Sequence, residues 1–526
     1  MRPCLTRTTN LGHLLTQAAR LFPDRAALLR GERVTTWSAL DARVDRAVRG
    51  LRRLGVRPGE RILVHMRNGE AMVETMFATF KLGAVWVPTN VRLAPPEVAH
   101  LAASSRAVAM VTEDGFPGHI DAARSGSPAL AHVIVAGVPR QGEMAWDAVV
   151  ELGKDADGEP AEAAVDRDDA VWFFYTSGTT GRPKAAVLTH GQMGFVVTNH
   201  LADLLPGTTE KDVSLVVAPL SHGAGIHLLT QVARGAASVL PVGDRLDPEE
   251  AWRLVERHRV TNMFTVPTIL KRLVEHEAAA RCDHSSLRHV IYAGAPMYRE
   301  DQKRALRVLG KVLVQYYGLG EVTGNITVLP PGWHDEDDAA MPVGSCGFPR
   351  TGMEVAVLGE DGQPLPPGAQ GEIVVRGPAV FAGYFENEEA NAKAFAGGWF
   401  HTGDLGFVDQ RGLLTITGRQ SDMYISGGSN VYPREIEEVL LTLPGVAEAA
   451  VVGVPDSQWG EVGIAVVVPR AGEELSPESL TAALAGSLAR YKHPRRIVVW
   501  QELPKSGYGK VPKSLIRKLL AERGEL

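Results

Sequence analysis

Between Tyr175 and Lys184 the chain reads Tyr-Thr-Ser-Gly-Thr-Thr-Gly-Arg-Pro-Lys, a run of hydroxyls and glycines that ends in positive charge. Residues of these types at this density suit phosphates. Gly178 and Gly181 let the backbone approach an anion with no Cβ in the way, while Thr176, Ser177, Thr179, Thr180 and free N–H groups donate hydrogen bonds to it. Arg182 and Lys184 supply charge. The pattern differs from the nucleotide-binding loop Gly-x4-Gly-Lys-Ser/Thr, since no Gly-Lys-Ser/Thr follows and no helix-forming run opens behind it. The elements that must position the loop are apolar. Residues 170–175, Ala-Val-Trp-Phe-Phe-Tyr, read as a buried strand, and residues 185–188 are a second short apolar run, so the loop is the tip of a hairpin or a strand-to-strand turn.

A chain of 526 residues exceeds one small core, and at ~100–200 residues per domain about two to four domains are expected. Its 45% hydrophobic and 22% charged residues are those of a soluble globular protein. The net charge of −6 argues against a general nucleic-acid binder. Cys4, Cys282 and Cys346 are too far apart for a zinc site or a disulfide framework, which fits a reducing cytoplasm. No run approaches the ~18 apolar residues of a membrane helix, and the N-terminus carries no long apolar core, so neither export nor integral membrane association is expected.

Apolar residues recur at three and four over 11–21 and 40–54, with a short strand at 26–29 between them. Residues 61–66 and 83–88 read as strands around a helix over 70–81. Strand and helix alternate in this way to about residue 330, which predicts an α/β fold with a largely parallel sheet. The polar stretch 138–169 reads as surface loops leading to the phosphate turn. Residues 374–378 and 383–385 look antiparallel. Beyond them a helix over 434–442 and strands at 449–454 and 464–468 form a small α+β C-terminal domain. The end of the chain, 491–526, holds nine Lys and Arg against three Glu and by itself reads as a solvated basic tail.

Residues 175–184 resemble the phosphate-binding loop of the adenylate-forming superfamily, which includes acyl-CoA synthetases, adenylation domains of peptide synthetases and firefly luciferase. Further motifs follow in the family's order. Residues 81–93 resemble an early structural motif. In Ala218-Pro219-Leu220-Ser221-His222-Gly223-Ala224-Gly225, the resemblance implies that His222 borders the acyl pocket, with Gly223 and Gly225 beside it. Alone, His222 would read as a structural histidine. The turn Gly294-Ala295-Pro296 would pack against adenine. Gln315-Tyr316-Tyr317-Gly318-Leu319-Gly320-Glu321 resembles the family's Gln-x-Tyr-Gly-x-Thr-Glu, which implies nucleotide contacts from Gln315 to Gly318, Tyr317 along the adenine face, and Mg²⁺ on Glu321. Asp404, in Thr402-Gly403-Asp404, and Arg419 would take the ribose hydroxyls; without the resemblance the former is an Asx turn. Ser421 would be the hinge, Gly427 and Gly428 the loop facing CoA, and Lys510, within Pro504-Lys505-Ser506-Gly507-Tyr508-Gly509-Lys510, the catalytic lysine. Thr176, Glu321 and Lys510 are the implied catalytic set.

The resemblance implies a large N-terminal domain, 1–420, of layered sheets with helices and a small β-barrel-like region, and a small mobile α+β domain, 421–526. The implied activity is that of an acyl-CoA synthetase using ATP, Mg²⁺ and CoA on a fatty or aromatic acid, with assembly open between monomer and homodimer. Two residues depart from the pattern. Gly320 stands where the family has a threonine that contacts phosphate, a loss of about 1.5–3 kcal/mol for one hydrogen bond to a charged group. Either Thr323 compensates, or the glycine makes room for a bulkier acyl group. Ser421 replaces the usual Asp or Lys of the hinge. Two alternatives stay open: an adenylating enzyme that loads a carrier-protein thiol, and a degenerate nucleotide-binding protein.

Overall fold

The computed structural model describes residues 9–154, 158–177, 183–243, 245–485, 487–505 and 511–526. Of the expected site residues, Gly178, Thr179, Thr180, Gly181, Lys510 and the side chain of Ser177 lie outside the described residues.

Three sheets of seven, thirteen and five strands form among the described residues. In the seven-stranded sheet Arg61–His65 lies between Ala107–Glu113 and Val85–Pro88, all parallel. Its strands are continuous apolar runs because both faces are covered. The helix Glu70–Leu82 is buried from Met72 onward. Its one buried cation, Lys81, is satisfied by Asp41 and Asp45, each at 2.5 Å. At one edge Ala170–Ser177 and Pro183–Thr189 pair antiparallel, the expected hairpin, with Thr176 opposite Lys184.

In the thirteen-stranded sheet Val213–Leu215, Asn262–Thr265, His289–Tyr292 and Leu313–Tyr317 run parallel. From Thr327–Leu329 onward the pairing turns antiparallel. The strand Ser345–Pro349 joins this part to the meander of Leu414–Arg419, Phe400–Val408, Gly371–Arg376 and Glu354–Leu358. The antiparallel segment seen in the sequence is thus continuous with the large sheet.

The polar stretch 138–169, expected as loops, contains the helix Trp146–Leu152. Trp146, Val149 and Val150 bury one face of it. It sits so close to the helix Trp37–Arg53 that a Cβ on Gly50 would stand 1.9 Å from the Val149 carbonyl oxygen. A helix of seven residues, about two turns, is too short to outweigh the acidic, glycine-rich surroundings in the sequence pattern.

The five-stranded sheet is built on the long antiparallel pair Val446–Asp456 and Gly460–Pro469, with Arg496–Val499 parallel at its side. It carries separate apolar cores, one under Pro433–Thr442 and one under Lys513–Glu522. Polar contacts link it to the rest of the chain: Lys271 Nζ donates to the Ala447 carbonyl at 3.1 Å, the Arg299 amide to Glu438 at 3.3 Å, and Arg434 to the Ile416 carbonyl at 3.3 Å. No helix among the described residues is long and apolar enough to cross a membrane.

Candidate active site

The strand Leu313–Tyr317 ends at the carboxyl edge of the parallel strands, where open α/β sheets place their ligands. A one-turn 3-10 helix, Gly320–Val322, follows it and buries the Glu321 side chain. Glu321 Oε1 accepts hydrogen bonds from the hydroxyls of Thr176 and Tyr384, each at 2.9 Å. Thr176 comes from the hairpin. Tyr384 comes from the segment 382–385, which lies along Pro183–Thr189 through backbone bonds between Val187 and Gly383 (2.9 Å), Ala382 and Val187 (3.0 Å), and Phe385 and Ala185 (2.9 Å). Burial and the adjoining Glu321 charge push the Tyr384 phenol well up from its ordinary value. Lys184 Nζ stands 5.3 Å from the centre of the Tyr384 ring.

A second carboxylate lies across Tyr317. Asp404 and Arg419 face each other in register on neighbouring strands, with Arg419 Nε 3.0 Å from Asp404 Oδ1. The Tyr317 hydroxyl donates to Asp404 Oδ2 at 2.6 Å. Asp404 holds the Arg419 guanidinium above its ordinary range, and Glu321 adds to this effect, so both carboxylates act on one cation. Gln315 shares the Tyr317 face of the strand and accepts from Tyr292 at 3.1 Å, whereas Tyr316 points the other way into the interior. Gly294, Ala295 and Pro296 form the turn after the parallel strand His289–Tyr292, and a φ of 83° at Gly294 calls for glycine there.

His222 precedes the helix Gly223–Arg234, and its ring packs on that of Phe174 with centroids 4.5 Å apart. Phe174 precedes Tyr175 in the hairpin, so the hairpin and the His222 corner touch. Gly223 abuts Phe264 and Tyr316, while Gly225 abuts Leu220, Trp172 and Met76 in the interior. Ser421 is exposed just past Arg419. Gly427 and Gly428 make the turn between Tyr424–Ser426 and Ser429–Val431, with the Gly427 amide on the Trp459 carbonyl at 2.9 Å.

The model of the AMP-binding enzyme family matches residues 15–385, and that of the AMP-binding enzyme C-terminal domain matches residues 435–510. The chain belongs to the AMP-binding enzyme family. It is 39% identical over 97% of its length to a feruloyl-CoA synthase of Amycolatopsis sp, covering 99% of that protein. It is 35% identical to an indoleacetate–CoA ligase of Aromatoleum aromaticum, over 98% of each chain. Among solved structures it resembles the anthranilate CoA ligase AuaEII in complex with anthranoyl-AMP, at 25% identity, a TM-score of 0.88 and 99% of both chains.

Within this AMP-binding enzyme, Gly320 has a different explanation from either one its sequence offered. A Cβ there would stand 2.6 Å from Cδ1 and Cε1 of Phe174 and 3.0 Å from Cγ2 of Thr176. Phe174 fills the space that a side chain at 320 would take, so the glycine opens no room for an acyl group. Thr323 does not supply the missing donor either. It is buried with φ 51°, and its hydroxyl donates to the Val322 carbonyl at 2.7 Å.

Among the described residues no three His, Cys, Asp or Glu side chains gather into a metal cage. Glu321 has no ion-pair partner among the described residues, and two neutral hydroxyls fix its position. A single held carboxylate fits Mg²⁺, which takes one or two protein carboxylates together with phosphate oxygens and waters. Tyr384 and Phe174 carry no motif of their own. The signal for Tyr384 was its place directly after Gly383 in a segment already marked as β; the signal for Phe174 was the glycine at 320, which needed a partner to replace the lost volume.

Proposed function

We propose that this AMP-binding enzyme is an acyl-CoA synthetase that activates an aromatic carboxylic acid with ATP and transfers the acyl group to the thiol of CoA. The observation that carries the reading is the pair of buried carboxylates around Tyr317: Glu321, tied to the phosphate hairpin through Thr176 at 2.9 Å, and Asp404, tied to Arg419 at 3.0 Å. One suits the phosphate end of a nucleotide and the other its ribose. The names of the feruloyl-CoA synthase and the indoleacetate–CoA ligase point to aromatic acids, and the rings of Phe174 and His222 at the hairpin suit a flat substrate.

In the first half-reaction a carboxylate oxygen of the acid bonds to the α-phosphorus of ATP. The bond from that phosphorus to the bridging oxygen breaks, and pyrophosphate leaves with the electron pair. Asp404 accepts from the ribose hydroxyls, and Arg419 orients it. Thr176, Lys184 and the 178–182 loop hold the departing phosphates, and Lys510 adds positive charge near the acyl and phosphate oxygens. Glu321 would hold Mg²⁺, whose charge offsets that of the phosphates when it is bound. In the second half-reaction the CoA thiolate attacks the acyl carbon, the C–O bond to AMP breaks, and AMP leaves. No enzyme-bound acyl group is needed.

The proposal includes a division at about residue 420, with 421–526 turning about Ser421 to withdraw Lys510 and bring Gly427 and Gly428 toward the site. The polar contacts between the five-stranded sheet and the rest of the chain suit an interface that must part and re-form. A cytoplasmic location belongs to the same reading, in keeping with Cys282 and Cys346 as free thiols.

The test is carboxylate-dependent ATP–pyrophosphate exchange over a panel of aromatic and aliphatic acids, followed by addition of CoA. Exchange with aryl acids, then AMP and thioester in equal amounts, is the expected result. Exchange without thioester, restored by a carrier protein, would redirect the second step, and no exchange with any acid would leave only nucleotide binding.

A further inference from the structure

The strand Phe400–Val408 is irregular where it carries Asp404. Against Gly371–Arg376 it pairs Leu405 with Glu372 and His401 with Val374, so Thr402, Gly403 and Asp404 stand opposite the single residue Ile373. A bulge of this kind takes backbone groups out of the ladder and re-aims a side chain, a device that recurs beside active sites. The re-aimed side chain here is Asp404, which meets Tyr317 at 2.6 Å and Arg419 at 3.0 Å.

Backbone groups that leave a ladder need other partners, and side chains supply them. The Asp404 amide donates to Thr402 Oγ1 at 3.1 Å, and the Thr402 hydroxyl donates to the Ile373 carbonyl at 2.6 Å. The Gly403 carbonyl accepts from the Gln420 amide at 3.0 Å. Gly403 itself has a φ of 71°, which glycine adopts without strain. Its amide donates to Glu372 Oε1 at 3.1 Å, a bond that reaches the bulge from the neighbouring strand. Glu372 is held in turn. Its Oε2 lies 2.8 Å from His401 Nδ1, and the other ring nitrogen lies 3.1 Å from the Ala396 carbonyl oxygen. One oxygen of Glu372 is thus braced by the ring while the other pins the backbone one residue ahead of Asp404.

We propose that Glu372, braced by His401, is a positioning residue for the ribose site: it fixes the Gly403 amide and, through that turn, sets Asp404 where it accepts from the ribose hydroxyls. The inference rests on the reading of Asp404 as the ribose acceptor of an acyl-CoA synthetase and deepens it by naming what holds that acceptor. Without Glu372 the Gly403 N–H loses its acceptor in a half-buried turn, the bulge is free to shift, and the directional bonds from Asp404 weaken.

The experiment measures kcat/KM for ATP and for 2′,3′-dideoxy-ATP, with CoA and the best acid of the exchange panel, in wild type and in Glu372→Ala. Wild type is expected to prefer ATP by about ten- to a hundredfold, the scale of a hydrogen bond to a charged group. Glu372→Ala should bring that preference close to one by lowering kcat/KM for ATP while leaving that for the dideoxynucleotide and the KM of the acid in place. Glu372→Gln, whose amide oxygen still accepts from Gly403, should restore part of the preference. A merely structural role lowers both nucleotides alike, so a wild-type preference that survives Glu372→Ala overturns the proposal. In an Asp404→Ala background the loss of Glu372 should cost ATP turnover nothing further, and losses that multiply would also overturn it. If Glu372→Ala does not fold, His401→Ala decides: a reduced preference supports the brace, and the wild-type value overturns it. A wild type that uses both nucleotides equally removes Asp404 from the ribose, and the inference with it, while the synthetase reading stands; no turnover of any acid with ATP removes that reading itself.

Discussion

Two polar regions meet at the His222–Gly223 corner, and they handle burial in opposite ways. On the hairpin side, Glu321 and Asp404 are carboxylates surrounded by donors: two hydroxyls on the first, a phenol and a guanidinium on the second. On the interior side, His227 and His200 are buried beside Arg350, and burial together with that charge holds both imidazoles below their ordinary range. The difference teaches that burial alone does not mark a role. What matters is which hydrogen-bonding capacity the protein has already used up. Asp404 has its charge balanced by Arg419 and is suited to accept from neutral hydroxyls. Glu321 is fixed in place by two neutral hydroxyls, which suits the cation proposed there. The imidazoles are held neutral by burial and by the neighbouring Arg350 charge.

The sharpest way to break this contrast is to discharge Glu321 without changing its shape. Glu321→Gln should lower pyrophosphate exchange about 10²–10³-fold, the scale of losing one preorganised electrostatic contact, and should raise the Mg²⁺ concentration needed for half-maximal rate. A rate within threefold of wild type at ordinary Mg²⁺ would remove Glu321 from the phosphate end. Asp404→Asn should act mainly on ATP affinity, raising its KM by about ten- to a hundredfold, as expected for a hydrogen bond to a charged group. If kcat falls while KM for ATP holds, the two carboxylates do not divide the nucleotide as argued.

A smaller effect tests how the two regions are packed together. Gly320→Thr should destabilise the protein by about 1–3 kcal/mol, the usual cost of overfilling a packed site, because Phe174 already occupies the space. Gly320→Thr with Phe174→Leu should recover most of that loss, and strictly additive denaturation midpoints would show that the two positions do not compete. The smallest expected effect concerns protonation behind the corner. His227 sits at about 3 in the folded chain against 6.5 ordinarily. Between these values the unfolded chain binds the proton and the folded chain does not, so this contribution is complete above pH 6.5 and declines as pH falls toward 3. Removing the imidazole in His227→Phe should reduce the acid-induced loss of stability by about 1.4 kcal/mol per pH unit below 6.5, measured as the difference in urea midpoints from wild type at pH 7 and 5.5. Identical slopes would mean that the imidazole titrates normally.

Much of the architecture could be read from local pattern, because the parallel strands are continuous apolar runs and the hairpin is flanked by two of them. The motif residues could be read in the same way, since each lies in a short contiguous signature. The partners of those residues could not. Thr176 reaches Glu321 across 145 positions and Tyr384 reaches it across 63, and nothing in either local sequence names the other. Gly320 shows the limit most clearly. In sequence it is a missing threonine; in the fold it is the complement of Phe174, a relation that only three-dimensional packing reveals. His227 was hidden for a related reason, since a histidine in an apolar helix reads as ordinary core until its neighbours Phe264, His200 and Arg350 are known.

The ribbon of backbone bonds that joins Val187, Ala185, Gly383 and Phe385 has a further consequence for how such a protein can change over generations. It fastens the strand behind Lys184 to the segment carrying Tyr384, and Tyr384 in turn holds Glu321, so the phosphate end of the site behaves as a single chassis. The helix that begins at Gly223 meets that chassis where His222 packs on Phe174, and its apolar residues share the core behind the hairpin. In the proposed reading, substitutions along this helix refit the chain to a new acid while the spacing of the groups around Glu321 is inherited intact.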